Sequence, residues 1–261
     1  DDVVMLSATG GTTGAPKGVL WRQSDFAVAA LGFDPTLLDG PDGITGWAEA
    51  LPARPPRSLI GPPFMHGAAH WNALAVWLKG GTVLLPAHPE RFDPDAVLDA
   101  VEWGEATAMI IVGDAFARPL LEADDRRHRS LVTLRHLLTG GAILSPSLKA
   151  ELVRRWPRVT VVDVLGSSES GRQAVHHHRG TDGTEEPSPR AFHPDDHTVI
   201  VSEGGGALIV PPPASPAAGP SEVGWLARTG RVPLGYLGQR DATKATFPVV
   251  GGLRAAVTGD R

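Results

Sequence analysis

With no cysteine anywhere in its 261 residues, the chain can form no disulfide, no thiolate nucleophile and no cysteine zinc site. A small secreted scaffold held by bridges is excluded, and a reducing compartment fits. The sequence also lacks any run near the ~18 consecutive apolar residues of a membrane span, and it opens on Asp1 and Asp2, the opposite of a basic leader. A soluble, cytoplasmic chain with no transmembrane segment is therefore expected. An excess of one charge is missing too: 24 lysines and arginines face 29 aspartates and glutamates, so no nucleic-acid partner is expected. What is present is ordinary globular composition, 42% hydrophobic and 20% charged, with enough residues to bury a real core.

Between residues 82 and 165 short apolar runs alternate with amphipathic stretches, the sequence form of parallel strands joined by crossover helices. Thr82 to Leu85, Thr107 to Val112, Leu134 to Leu138 and Val159 to Leu165 read as strands. Asp93-Pro94 and Ser145-Pro146 each supply a cap and a first-turn proline, which predicts helices running to about Trp103 and Trp156. Another helix is expected over Ala115 to Ala123, although Pro119 removes a backbone donor there. Gly180 to Pro194 and Pro211 to Pro220 read as loops. Thr198 to Ser202, Ala207 to Val210 and Val223 to Arg228 look like strands without intervening helices. The expected fold class is α/β, a parallel sheet with crossover helices followed by a β-rich C-terminal third.

The stretch richest in chemistry is Ser7-Ala8-Thr9-Gly10-Gly11-Thr12-Thr13-Gly14-Ala15-Pro16-Lys17-Gly18, directly after the apolar run Val3 to Leu6. Its glycines let backbone N–H groups turn toward an anion, the hydroxyls of Thr9, Thr12 and Thr13 add donors, and Lys17 adds positive charge. This is equipment for binding phosphate. The ordinary nucleotide P-loop is a poor match, because it needs glycine directly before the lysine and a helix behind it. Pro16 stands in that place, and Val19-Leu20-Trp21 continues in strand-like residues, with the next helix expected from a Ser24 cap. Lys17 therefore falls on a loop and strand edge. The His176-His177-His178 run reads as a solvated loop, because adjacent histidines do not converge on a metal.

That loop resembles the signature of the adenylate-forming superfamily, which includes acyl-CoA synthetases, luciferases and peptide-synthetase adenylation domains. Further segments follow in the family's order. Gly61-Pro62-Pro63-Phe64-Met65-His66-Gly67 resembles a segment whose histidine lies near the acyl pocket, and Leu138-Thr139-Gly140-Gly141-Ala142 resembles the glycine-rich turn along adenine. Leu165-Gly166-Ser167-Ser168-Glu169 resembles the family's aromatic-Gly-x-Thr-Glu segment, and Thr258-Gly259-Asp260 matches its ribose-binding aspartate. Two departures stand out: Leu165 replaces the aromatic that stacks on adenine, and Ser168 replaces threonine. Trp71 to Val76, Val112 to Pro119, Gly224 to Arg228, Gly235-Tyr236-Leu237 and Ala245 to Pro248 look most like actinobacterial acyl-CoA synthetases acting on fatty or steroid-derived acids.

The resemblance implies an acid–CoA ligase of the AMP-forming type, with ATP, Mg²⁺ and CoA as cofactors and co-substrates and a small-molecule carboxylic acid as partner. It implies catalytic roles for Lys17, Ser168 and Glu169, with Mg²⁺ at Glu169. ATP would be bound by Thr9, Gly10, Gly11, Thr12, Thr13, Gly14, Lys17, Gly140, Gly141, Ala142, Leu165, Gly166, Ser168 and Asp260. The acid would lie against His66 and Trp71, His66 binding it without acting as acid or base. A strand ending at Leu165 places Ser168 and Glu169 at the carboxyl edge of a parallel sheet, where ligands bind in open α/β folds. A single carboxylate there suits Mg²⁺, which takes one or two carboxylates plus phosphate oxygens and water.

The expected organisation is a phosphate loop and α/β layered subdomain over 1–175 and a β-rich subdomain leading to a hinge over 196–261. The family's amino-terminal region and small mobile C-terminal domain would be absent. Since Lys17, Lys79, Lys149 and Lys244 all precede the hinge position, the adenylation lysine would be absent with them, and the fragment would bind ATP without efficient turnover. Two alternatives stay open. One is an α/β serine hydrolase using Ser168, although Ser170 stands where the nucleophile elbow needs glycine. The other is a non-catalytic nucleotide-binding remnant.

Overall fold

The computed structural model describes residues 2–9, 16–34, 36, 43–179, 192–202, 208–209 and 224–260. These form two compact units, one of Asp1–Phe33, Leu165–Val175 and Ala191–Arg261, the other of Asp34–Val164 and His176–Arg190. The amino-terminal stretch thus groups with the β-rich third, because of how its hairpin is paired. Strands β1 (Val3–Thr9) and β2 (Lys17–Arg22) run antiparallel with Thr9 opposite Lys17. The outer partners of β2 come from more than two hundred residues later.

In the second unit, β3 (Arg57–Ile60), β4 (Thr82–Leu84), β5 (Ala108–Ile111), β6 (His136–Gly140) and β7 (Thr160–Ser167) make a parallel sheet in the order β4-β3-β5-β6-β7. The period of two along each strand divides the core. Leu59, Met109, Ile111, Leu137 and Val161 point to one face, under the helices Pro94–Trp103, Gly113–Arg126 and Pro146–Arg155. Ile60 and Ile110 point to the other, under the helix Gly67–Leu78 through Ala69 and Ala73.

Asp93 caps its helix as its sequence suggests, Oδ1 accepting the N–H groups of Asp95 and Ala96 at 3.1 and 3.2 Å. Ser145 makes no side-chain cap bond; its own N–H donates to Asp114 Oδ1 at 2.6 Å, tying two helix starts together. Pro119 sits inside a helix of 14 residues, longer than expected. Burial of Ala117, Leu120 and Leu121 on its apolar face outweighs the missing hydrogen bond. Arg129, with 2% of its side chain exposed, links two of the helices: Nε and Nη2 donate to Asp99 and Asp95, and Nη1 donates to the carbonyls of Ala123 and Arg127. Lys149 forms a buried ion pair with Asp163 on β7.

In the first unit, β8 (Gly171–Arg179), which continues into the second unit, pairs with β9 (His193–Pro194). His176-His177-His178 is therefore strand and not the loop expected from its polarity. Strands β10 (Thr198–Ser202), β11 (Leu208–Ile209), β12 (Gly224–Arg228), β13 (Gly235–Tyr236), β14 (Val249–Val250), β15 (Leu253–Arg254) and β16 (Ala256–Val257) follow. An antiparallel sheet β11-β10-β12-β16 buries Val199, Val201 and Ala227 against Val250 and Ala255. Strand β13 instead joins β2, Tyr236 opposite Val19 and Gly235 opposite Leu20. No helix among the described residues is long and apolar enough to cross a membrane.

Candidate nucleotide site

Strand β2 positions the first group. Lys17 opens it, and the N–H of Leu237 donates to Gly18 O while that of Leu234 donates to Leu20 O, both at 2.8 Å. This fixes Tyr236, the only tyrosine of the chain, beside Lys17, whose Nζ lies 4.9 Å from the ring centroid over its face. The ring is 7% exposed, with the Phe247 ring at 5.6 Å, and the Tyr236 N–H donates to Thr243 Oγ1. Its hydroxyl donates to Glu169 Oε1 at 2.9 Å. Burial foremost, with the Glu169 carboxylate adding to it against the opposing hydrogen bond between the phenol and Thr246 Oγ1, pushes the Tyr236 phenol up to about 12. The phenol is therefore protonated, and a donor, at neutral pH.

Glu169 is held by the turn that follows β7. Ser167 and Ser170 share a hydroxyl–hydroxyl bond at 3.0 Å, the N–H groups of Glu169 and Ser170 both donate to Ser167 Oγ, and Trp21 Nε1 donates to Ser168 O at 3.0 Å. Gly166 is required by closeness: a Cβ there would lie 2.2 Å from Gly171 O. Glu169 is half-buried, and among the described residues its Oε2 carries no hydrogen bond. No group of three or more histidine or acidic side chains that could cage a metal occurs among the described residues. A lone carboxylate with one oxygen anchored and the other available is the donor set that suits Mg²⁺ in company with phosphate oxygens and water. The residues present therefore fit that ion.

Of the other expected residues, Gly10, Gly11, Thr12, Thr13 and Gly14 lie outside the described residues, and Thr9 and Lys17 are their paired flanks. Leu165 and Ser168 are half-buried. Ser168 Oγ makes no hydrogen bond with a histidine among the described residues, so nothing there activates it as a nucleophile. Asp260 is exposed beside β12: its carbonyl accepts the Leu226 N–H at 2.8 Å and its Oδ2 accepts the Thr258 hydroxyl at 2.9 Å.

The second unit brings His66 and Gly141 together. His66 caps the helix Gly67–Leu78, its Nδ1 accepting the Ala68 N–H at 3.4 Å, and its Cε1 lies 3.4 Å from where a Gly141 Cβ would be. Gly141 has φ +78°, which favours glycine. Trp71 lies one turn along, its ring 3.6 Å from a Cβ built at Gly67. A groove of about 260 Å³ lined by Ser58, Asn72, Val76, Lys79 and His136 opens toward the amino ends of the strands, so it is separate from Gly140, Gly141 and Ala142 at the carboxyl end of β6. Tyr236 lies in the Gly235-Tyr236-Leu237 segment of the resemblance, but no site role was attached to it from the sequence. A further signal in the sequence is that it is the one tyrosine of the chain.

An ammonium and a carboxylate thus meet one phenol, Lys17 over its face and Glu169 at its hydroxyl. Known proteins resemble the chain in sequence and in fold. Over its whole length the chain is 38% identical to the medium-chain acyl-CoA ligase Mig of Mycobacterium avium and 32% identical to the 3-oxocholest-4-en-26-oate–CoA ligase of Rhodococcus rhodochrous. It spans about half the length of these curated relatives, 46% of each. Among solved structures, the Klebsiella oxytoca NpsA N-terminal subdomain in complex with 3-hydroxybenzoyl-AMSN matches 100% of this chain and 61% of its own, at 22% identity with a TM-score of 0.71. That likeness shows the fold, a mixed α/β architecture with a largely parallel sheet. A sequence model of the AMP-binding enzymes matches residues 1–212, and the chain belongs to the AMP-binding enzyme family.

Proposed function

We propose that this chain is the ATP-holding part of an AMP-forming acid–CoA ligase whose substrate is a long-chain fatty or steroid-derived carboxylic acid. The observation that carries the reading is the link from Lys17 through Tyr236 to Glu169. The relatives' names support acyl-CoA ligation in general, and the 3-oxocholestenoate–CoA ligase supports the steroid-derived acid. In the first half-reaction a carboxylate oxygen of the acid bonds to the α-phosphorus of ATP and the bond to pyrophosphate breaks, leaving an acyl-adenylate. In the second, the CoA sulfur bonds to the acyl carbon and AMP leaves.

Two anions must meet, so charge neutralisation governs the rate. Lys17 and the donors of Thr9 to Gly14 hold the phosphates, and the Ser168 hydroxyl donates to a phosphate oxygen. Glu169 holds Mg²⁺, which when bound offsets charge on the phosphate oxygens. Within the first unit, Asp260 accepts from the ribose hydroxyls and Leu165 and Gly166 line the adenine. The test is carboxylate-dependent ATP–pyrophosphate exchange by the full gene product, screened over medium-chain, long-chain and sterol-side-chain acids. Exchange is expected with at least one class and should fall ~100-fold or more in Lys17→Ala and in Glu169→Gln. Absence of exchange with every acid would remove the assignment.

A further inference from the structure

We infer that Tyr236 is a positioning residue that acts as a spacer: its ring and hydroxyl keep Lys17 and Glu169 close but unpaired, so that both charges remain available to a metal-bound triphosphate. The inference rests on the function proposed above and adds a residue to it. The geometry has two parts. Lys17 stands over the face of the ring, where the π-electrons are negative, with Nζ 4.9 Å from the centroid. Glu169 meets the same residue at the hydroxyl, in the plane of the ring, at 2.9 Å.

Lys17 and Glu169 meet the same side chain, and if they paired with each other instead, each would cancel the charge the other needs. Among the described residues Lys17 has no carboxylate partner, and Glu169 accepts only the phenol at its side chain. A neutral donor serves better here than a cation would. It fixes Oε1 and the rotation of the carboxyl group while leaving the full negative charge for a divalent ion on Oε2. Tyr236 itself is held from three sides, by Val19 through the strand register, by Thr243 through its N–H and by the Phe247 ring, so it can act as a rigid reference.

The two functions of the residue can be separated by substitution. Tyr236→Phe keeps the ring and removes the hydroxyl. Tyr236→Leu removes both. The full gene product and its variants are titrated with Mn²⁺ in the presence of a non-hydrolysable ATP analogue, read by electron paramagnetic resonance, and with the analogue alone in EDTA, read by calorimetry. Loss of a hydrogen-bond partner to a metal-binding carboxylate weakens metal affinity ~10-fold or more, so Tyr236→Phe should raise the Mn²⁺ dissociation constant by that factor and leave metal-free analogue binding within twofold. Tyr236→Leu should weaken both, because Lys17 and Glu169 then pair. Adding Glu169→Gln to Tyr236→Leu should restore metal-free analogue binding by freeing Lys17, a recovery that a merely structural role for the tyrosine would not produce.

Should Tyr236→Leu fail to fold, a cycle of Tyr236→Phe with Glu169→Gln decides, since the phenylalanine should have no further effect on Mn²⁺ once Glu169 is gone. Wild-type Mn²⁺ affinity in Tyr236→Phe, additive losses in the cycle, or no recovery in the leucine double variant would each overturn the inference. A wild-type protein that binds neither the analogue nor its metal complex would instead overturn the ligase reading beneath it.

Discussion

Replacing Gly166 by alanine is the sharpest test of how the Glu169 turn is held. The added Cβ would meet Gly171 O at 2.2 Å and Arg172 Cα at 3.2 Å. Ordinary contact requires about 3.5 Å, so more than ~1 Å of separation has to be created. The obstacle is backbone and cannot swing aside. Gly171 is itself at φ +69°, where its own Cβ would lie 2.6 Å from Ala29 O, so retreat in that direction is blocked as well. Overpacking of this kind costs ~1–3 kcal/mol, and loss of the Trp21 to Ser168 hydrogen bond as the turn opens adds about 1, for a total near 2–4 kcal/mol. Gly252→Ala in the β14–β15 hairpin is the control: nothing lies within 4 Å, and only the left-handed backbone at φ +81° is penalised, by ~1–2 kcal/mol. Urea unfolding followed by tryptophan fluorescence measures both. Gly166→Ala should also weaken metal-dependent nucleotide binding while Gly252→Ala does not. A Gly166→Ala protein losing less than ~1 kcal/mol, or binding nucleotide as tightly as the control, would refute the argument that this closeness holds Glu169 in place.

Two further outcomes are expected. Arg129→Met should lose ~2 kcal/mol in urea unfolding, because the buried Ala123 carbonyl loses its donor; the ion pairs to half-exposed Asp95 and Asp99 contribute little, so Arg129→Lys should recover only part, and full stability in either variant would contradict the accounting. His136, an exposed residue whose ring is partly shielded from water, has its pKa lowered from the ordinary histidine value, chiefly by that desolvation and then by the nearby charges of His177, Arg179 and Arg135. The folded chain therefore takes up this proton less readily than the unfolded chain. Its contribution to stability is intact above pH ~6.5 and is lost as pH falls from there through the lowered folded value; an NMR midpoint at or above 6.5 would reverse the sign.

Local signals were legible in the sequence wherever one residue type did one job. Asp93-Pro94 fixed a helix start to within a residue, and the alternation through Leu59, Ile60, Met109 and Ile110 serves a sheet covered on both faces. The helix around Pro119 was harder to bound, because a breaker in the middle of an apolar face is overruled only by packing the sequence does not display. His176 to His178 looked like loop by polarity, whereas pairing of the preceding Ala174 and Val175 with β9 carries them into a strand. The candidate site divided in the same way. Lys17, Glu169 and Asp260 were legible through motifs with their own spacing, while Tyr236 acquires meaning only from β13 pairing with β2, a contact between residues far apart in the chain.

That pairing has a consequence for how the molecule is made. Val19 waits for Tyr236 across 216 intervening positions of synthesis, while the parallel sheet between them can consolidate from its own neighbouring strands as it emerges. The lysine and the glutamate are therefore both translated before the phenol they share, so a ribosome-bound chain can hold a finished parallel core while the two charges still lack Tyr236.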